Sequence, residues 1–258
     1  MQFLIIPDIH CRKFWRDLDY DKYDKVIFLG DYLDPYSGEP NLEENSIEML
    51  NDIISLKKSN PDKYILLTGN HTDHYIWSNM AEASRKSWAF REVYNEIFIK
   101  NLDLFQITYI YNNTIFSHAG ITPEWAYRFL ADYMKYDESA LEENLVLETA
   151  KILMDTPLKD FNKHYIKALS NISSTYRGGF DDYGSCEWAD IYEHIDLANS
   201  TIDNIVPKHK SDGYYQIFGH SQLKENPIVT TSWACVDCRR PFIYDFNKLI
   251  EYGSDNSL

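Results

Sequence analysis

The feature that most constrains this chain is a set of five short apolar runs, at 3–6, 26–29, 64–67, 114–116 and 215–218, each halted by residues that carry chemistry. After them come, in turn, Asp8 and His10; Gly30-Asp31 with Asp34; Gly69-Asn70-His71; Ser117-His118; and Gly219-His220. Runs of this length without clean apolar–polar alternation predict strands buried on both faces and covered by helices. Open α/β sheets bind ligands at the carboxyl ends of their strands, so the pattern predicts that these side chains gather at one edge. A single Asp or Asn after a strand is ordinarily a turn residue. Five strand ends in series that bear metal-capable or acid–base groups indicate a site instead. Carboxylate oxygen together with imidazole nitrogen suits borderline divalent ions such as Zn, Mn or Fe(II), and a shared carboxylate can hold two of them close together.

Helical patterns separate the runs. Asn41-x-x-Glu44 reads as a capping box ahead of Ile47, Leu50, Ile53 and Ile54 at helical spacing. Thr122-Pro123 reads as an N-cap followed by proline at the first helical position, with Trp125, Phe129 and Leu130 on one face. The stretch 125–207 reads as mainly helical and is rich in Asp, Glu and Tyr. It contains no repeat or linker, which predicts an elaboration of one domain spanning 1–250, with 251–258 a frayed tail. Closely spaced strands are expected at 228–231, 233–236 and 242–244. Strands alternating with helices and then following one another predict an α/β layered architecture with mixed sheets.

Charge narrows the partners. The 258 residues carry 25 Lys plus Arg against 40 Asp plus Glu, a net charge of -15. Sequence-independent binding to duplex nucleic acid or anionic membranes comes from cations neutralising phosphates, so neither partner is expected. The N-terminus lacks a basic segment and reads as a strand, not a signal peptide, and no run approaches the ~18 apolar residues needed to span a bilayer. Cys11, Cys186, Cys235 and Cys238 are too sparse for a disulfide scaffold, which points to a reducing cytoplasm. Cys235 and Cys238 have C-x-x-C spacing but lack the second ligand pair of a structural zinc site. Trp77, Trp88 and Trp125 read as core aromatics.

Taken together, Asp8-Ile9-His10, Gly30-Asp31-Tyr32-Leu33-Asp34, Gly69-Asn70-His71, Ser117-His118-Ala119-Gly120 and Gly219-His220-Ser221 resemble the ordered D-x-H, G-D-x-x-D, G-N-H, H-(A/G)-G and G-H motifs of calcineurin-like metallophosphoesterases. The phosphoprotein phosphatase branch is the most similar, since it too has a single His in its last motif and a later arginine-glycine motif, matched by Arg177-Gly178-Gly179. The resemblance implies an αββα sandwich of two mixed sheets flanked by helices, with a helical insertion.

It also implies roles. Asp8 and His10 would hold one metal, Asp31 would bridge, and Asn70, His118 and His220 would hold a second, the ions being Mn, Fe or Zn. A hydroxide between the metals would attack phosphorus in line. His71 would protonate the leaving alkoxide as general acid, and Asp34 would orient its imidazole. Arg177, with Asn70, would bind the phosphate. The expected activity is hydrolysis of phosphate monoesters, on a phosphoprotein or a phosphorylated small molecule. A phosphodiesterase or nucleotide pyrophosphohydrolase is one alternative, and a catalytically silent metal-stabilised binding module is another. Gln222 stands where many relatives carry a further metal-binding His, and Pro35 follows Asp34 where the phosphoprotein phosphatases have Arg. Arg12, Arg239 and Arg240 are the cations that could replace it, with salt bridging as their ordinary role. His74 is either a supporting base or a surface histidine.

Overall fold

In the computed structural model, which describes residues 1–39, 43–134, 144–211 and 213–253, the apolar runs become the centres of two sheets. The strands are β1 (Phe3–Ile6), β2 (Lys25–Phe28), β3 (Tyr64–Leu67), β4 (Phe105–Gln106), β5 (Thr108–Tyr111), β6 (Thr114–Ser117), β7 (Tyr215–Phe218), β8 (Ile228–Val229), β9 (Trp233–Cys235), β10 (Phe242–Tyr244) and β11 (Leu249–Glu251). One sheet has the order β11-β10-β1-β2-β3-β4 and the other β5-β6-β7-β9-β8. In the first, β1 to β4 run parallel while β10 and β11 are antiparallel. In the second, β6, β7 and β9 are parallel and β5 and β8 antiparallel. Both sheets are therefore mixed, as expected.

Strand periodicity explains why continuous apolar runs were needed. Phe3, Ile5, Ile27, Leu29, Ile65 and Leu67 point between the sheets, where they meet Phe116, Ile217, Ala234 and Val236 of the second sheet. Their neighbours Leu4, Ile6, Val26, Phe28, Tyr64 and Leu66 point the other way, into the layer packed by helices. Every second residue thus serves one core and the rest serve the other.

Helix α1 (Ser46–Ser59) buries Leu50, Ile53 and Ile54, as read from the sequence, together with Met49, while Ile47 is only partly buried. The capping box assigned to Asn41 lies outside the described residues. Helix α2 (Asn70–Ile76) starts immediately after β3 and is buried throughout. Helix α3 (Arg91–Lys100) buries Tyr94 and Phe98. Helix α4 (Pro123–Arg128) is capped as expected, with the Thr122 hydroxyl accepting the Trp125 N–H at 3.2 Å, and it continues into a wider π-type turn at Phe129–Tyr133. Helices α5 (Leu145–Asp155) and α6 (Lys163–Leu169) complete the inserted helices. Trp125, Phe129, Leu153 and Leu169 join the same apolar cluster as β1 and β2.

Helix extends only to Leu169. From 170 to 207 the chain is built mainly from turns, a short 3-10 turn at Ile191–Glu193 and isolated bridges such as Ser173 with Asp181. Gly178, Gly179 and Gly184 fall in this stretch, and glycine disfavours helix. Of the three tryptophans, Trp125 is fully buried and Trp77 stacks on Phe161, but Trp88 is 65% exposed beneath Lys86 and Arg91. Its ring meets the two cationic heads at the surface instead of entering the core.

Candidate metal centre and active site

The strand ends do converge. Asp8 and His10 follow β1, Asp31 and Asp34 follow β2, Asn70 and His71 open α2 after β3, His118 follows β6 and His220 follows β7. Several of these residues require unusual backbone. His10, Asp31, Asp34 and His220 have φ of 44°, 47°, 60° and 62°, in the left-handed region that costs a side-chain-bearing residue about 1 kcal/mol or more. The sharp reversals turn the side chains inward over the sheet edge. Close approach is needed as well: a Cβ on Gly69 would lie 2.3 Å from Asp31 Oδ1, and one on Gly219 2.2 Å from Asp8 Oδ1.

Three sets of donors result among the described residues, and two of them share a member. Asp8, His10 and Asp31 form one of these two, and Asp31, His118 and His220 the other, with the ligand atoms of each set all within 4.8 Å of one another. Asp31 belongs to both. Its Oδ2 lies 3.6 Å from His10 Nε2 and 3.3 Å from His118 Nε2. Asn70 Oδ1 is 3.1 Å from His118 Nε2, and His220 Nδ1 is also 3.1 Å from that atom.

Backbone groups orient these donors. His10 Nδ1 donates to the Leu33 carbonyl at 2.9 Å and His118 Nδ1 to the Leu29 carbonyl at 2.8 Å, which leaves both Nε2 lone pairs facing inward. The His71 N–H donates to Asp31 Oδ1 at 2.9 Å, and the His220 N–H to both oxygens of Asp8.

The electrostatics fit a cation. Asp8 and Asp31 are both 1% exposed. Burial pushes the Asp8 carboxyl up to about 6, against the pull of His118. For Asp31 burial acts the same way, but His118 and His71 outweigh it and hold its pKa well below the usual range. Burial brings His10 down to about 3, while Asp31 and Asp8 overcome burial at His118 and push it up. Two buried carboxylates thus face one buried imidazole, and buried charge of this kind calls for compensation. His220 Nε2 is buried with no hydrogen-bond partner among the described residues. The oxygen and nitrogen donors, the shared carboxylate and the deficit of positive charge all fit divalent metal binding.

Beside these donors lies a second cluster of acid–base side chains. Asp34 Oδ2 accepts from His71 Nδ1 at 2.8 Å and lies 3.0 Å from His74 Nε2, while Oδ1 accepts from the Tyr75 hydroxyl at 2.5 Å. Burial alone would raise Asp34, but the two imidazoles outweigh it and lower its pKa. The Ala83 N–H donates to His74 Nδ1 at 3.1 Å, so the His74 proton sits on Nε2 and faces Asp34. His74 is therefore a buried partner of Asp34 and not a surface histidine.

A cleft of about 540 Å³ opens over the site and is lined by His10, Asp31, Asn70, His71 and His220. Arg177 also lines it, paired with Asp190 at 2.7 Å and donating to the Ser221 hydroxyl at 2.9 Å. Asp8 and His118 lie beneath, and Asp34 lies behind His71. The cations considered as replacements after Asp34 point elsewhere. Arg12 and Arg239 pair with Glu39, at 3.0 and 3.7 Å, and Arg240 pairs with Glu251 at 2.9 Å. Gln222 is exposed and faces Arg239. The cleft instead contains Arg85, which the motifs did not single out. The buried acids Asp73 and Glu187 were missed too; burial is the main force pushing Glu187 up to about 8 and raising Asp73.

Solved structures share this fold. The cold-active protein-tyrosine phosphatase of a psychrophilic Shewanella species superposes with a TM-score of 0.54 at 14% identity, covering 96% of this chain and 76% of that one. A 1.1 Å structure of a cold-active protein tyrosine phosphatase superposes at 0.56 with 13% identity, covering 96% and 75%. A protein serine/threonine phosphatase from Saccharomyces cerevisiae gives 0.48 at 14% identity, covering 97% and 78%. A search of curated proteins returned no match. The sequence model of the calcineurin-like phosphoesterases matches residues 1–224, which include every converging strand end. The chain belongs to the calcineurin-like phosphoesterase family and is a phosphoric ester hydrolase.

Proposed function

We propose that the protein hydrolyses phosphate monoesters with two divalent ions, Mn, Fe or Zn. Asp8 and His10 would hold one, Asn70, His118 and His220 would hold the other, and Asp31 would serve both. The observation that carries this reading is the pair of donor sets joined at Asp31, with His71 beside them on the cleft. Bound ions of this kind supply Lewis acidity, which lowers the pKa of water and stabilises charge on phosphate oxygens.

The chain's own residues do the rest. His71 donates a proton from Nε2 to the leaving oxygen, an alkoxide that would otherwise depart poorly. Asp34 accepts a hydrogen bond from Nδ1–H, which fixes the ring's orientation. Arg177 binds phosphate oxygens through its planar fork, and the contacts with Asp190 and Ser221 hold it in place. Asn70 adds an amide beside the same oxygens. Substrates are phosphoproteins or phosphorylated small molecules. The four cysteines are free and buried, which suits a reducing cytoplasm, and among the described residues no helix is long and apolar enough to cross a membrane.

The test is hydrolysis of an aryl phosphate by protein loaded with Mn, Fe or Zn, with metal content measured on the same sample. The expected result is turnover well above that of the free ions. His71→Ala should lower kcat by about 100-fold or more, most steeply with poor leaving groups, at unchanged metal content. Tight binding of two metals with no hydrolysis across a panel of esters would favour a silent binding module.

A further inference from the structure

We infer that Arg85 binds the reacting phosphoryl group beside His71 and sets the preference for monoesters over diesters. This inference rests on the monoesterase reading above. Arg85 belongs to the segment between α2 and α3, 14 positions beyond His71 and outside every motif. Even so, its Nη2 lies 3.3 Å from His71 Nε2, its Nε donates to the Asp34 carbonyl at 3.2 Å, and its guanidinium stacks over the Tyr36 ring at 3.9 Å. Its backbone is left-handed, with φ of 62°. A strained residue that puts a charge into a cleft is a common arrangement at functional sites.

Charge balance separates Arg85 from the neighbouring arginines. Arg12 and Arg239 also face Tyr36, at 5.0 and 5.4 Å, but both are paired with Glu39. Among the described residues Arg85 has no carboxylate partner; its contacts are the Asp34 carbonyl, the Ser84 hydroxyl and the His71 imidazole. The geometry then limits where a substrate can sit. A leaving oxygen that takes a proton from His71 Nε2 must come within hydrogen-bond reach of that nitrogen, and so within reach of a guanidinium already touching it. A monoester dianion has three non-bridging oxygens for the guanidinium to bind. In a diester one of the three is alkylated and uncharged, so the same group gains less and meets an alkyl substituent.

The experiment compares wild type, Arg85→Ala and Arg85→Lys, each metal-loaded and assayed on a mono-aryl and a bis-aryl phosphate. Inhibition by inorganic phosphate is measured in parallel. In Arg85→Ala the ratio of monoester to diester kcat/KM should fall about 10-fold or more, and the phosphate inhibition constant should rise about 10- to 100-fold. Arg85→Lys should recover only part of each, because it lacks the fork. An unchanged ratio and inhibition constant in Arg85→Ala, or an equal loss on both esters, would overturn the assignment and leave the monoesterase reading intact. A wild type that cleaves only the diester would instead overturn the monoesterase reading.

Discussion

At the scale of single residues, Asp34 is the hub of the acid–base assembly. It receives His71, His74 and Tyr75, which lie at i, i+3 and i+4 on one face of α2. That spacing was legible in the sequence, but only His71 belonged to a motif, and Tyr75 was overlooked. The Tyr75 hydroxyl also accepts the Ser87 N–H at 2.7 Å, so it ties the Arg85 segment to the site. Tyr75→Phe should lower stability by about 1–3 kcal/mol, since it strips a partner from a buried carboxylate and from a buried N–H. Urea denaturation of the two proteins measures the change. Arg85 itself was illegible. It sits in Ser84-Arg85-Lys86, an ordinary solvated sequence, and only tertiary contacts bend that segment into the cleft.

At the scale of elements, the runs at 3–6, 64–67 and 215–218 match their strands end to end because each is buried on both faces. Shorter or edge strands such as β4 and β11 depend on their partners and carry little signal of their own. The turns of 170–207 depend on individual hydrogen bonds for the same reason. Helix α4 shows how one such contact holds the insertion. Glu124, in its first turn, pairs with Lys208 at 2.6 Å and His209 at 3.0 Å. Burial would raise its pKa, but His209 and Lys208 outweigh burial and bring it from 4.5 down to about 2. A depressed carboxyl stabilises the fold above its unfolded pKa, and that contribution is lost as pH falls through the folded value. Glu124→Gln should therefore cost roughly 1 kcal/mol at pH 7, after discounting for a half-buried group. The difference should shrink between about pH 5 and pH 2. Thermal denaturation of both proteins across that range checks the sign.

At the scale of the whole molecule, the -15 charge and the site act at different ranges. Screening confines the acidic field to about 8–10 Å at ordinary salt, while Arg177 and Arg85, which line the cleft, would act on contact under the proposed function. The two sheets are also bridged at the site, since Asp31 comes from one and His118 and His220 from the other. Ions that bind there should stabilise the folded state by mass action. Mn at about 100 times its Kd should raise Tm by roughly 5–10 °C, and a chelator should reverse it, as read by calorimetry.

The hydrogen bond from the His220 backbone N–H to the Asp8 carboxylate spans 212 positions, and β1 finds its antiparallel neighbour only in β10. During synthesis the first site residue to leave the ribosome must wait for nearly the last, with β1 lacking that neighbour until β10 emerges. At roughly 5–20 residues per second the delay is on the order of ten seconds or more. Metal capture by a nascent chain would then mark the closing step of folding, not its start.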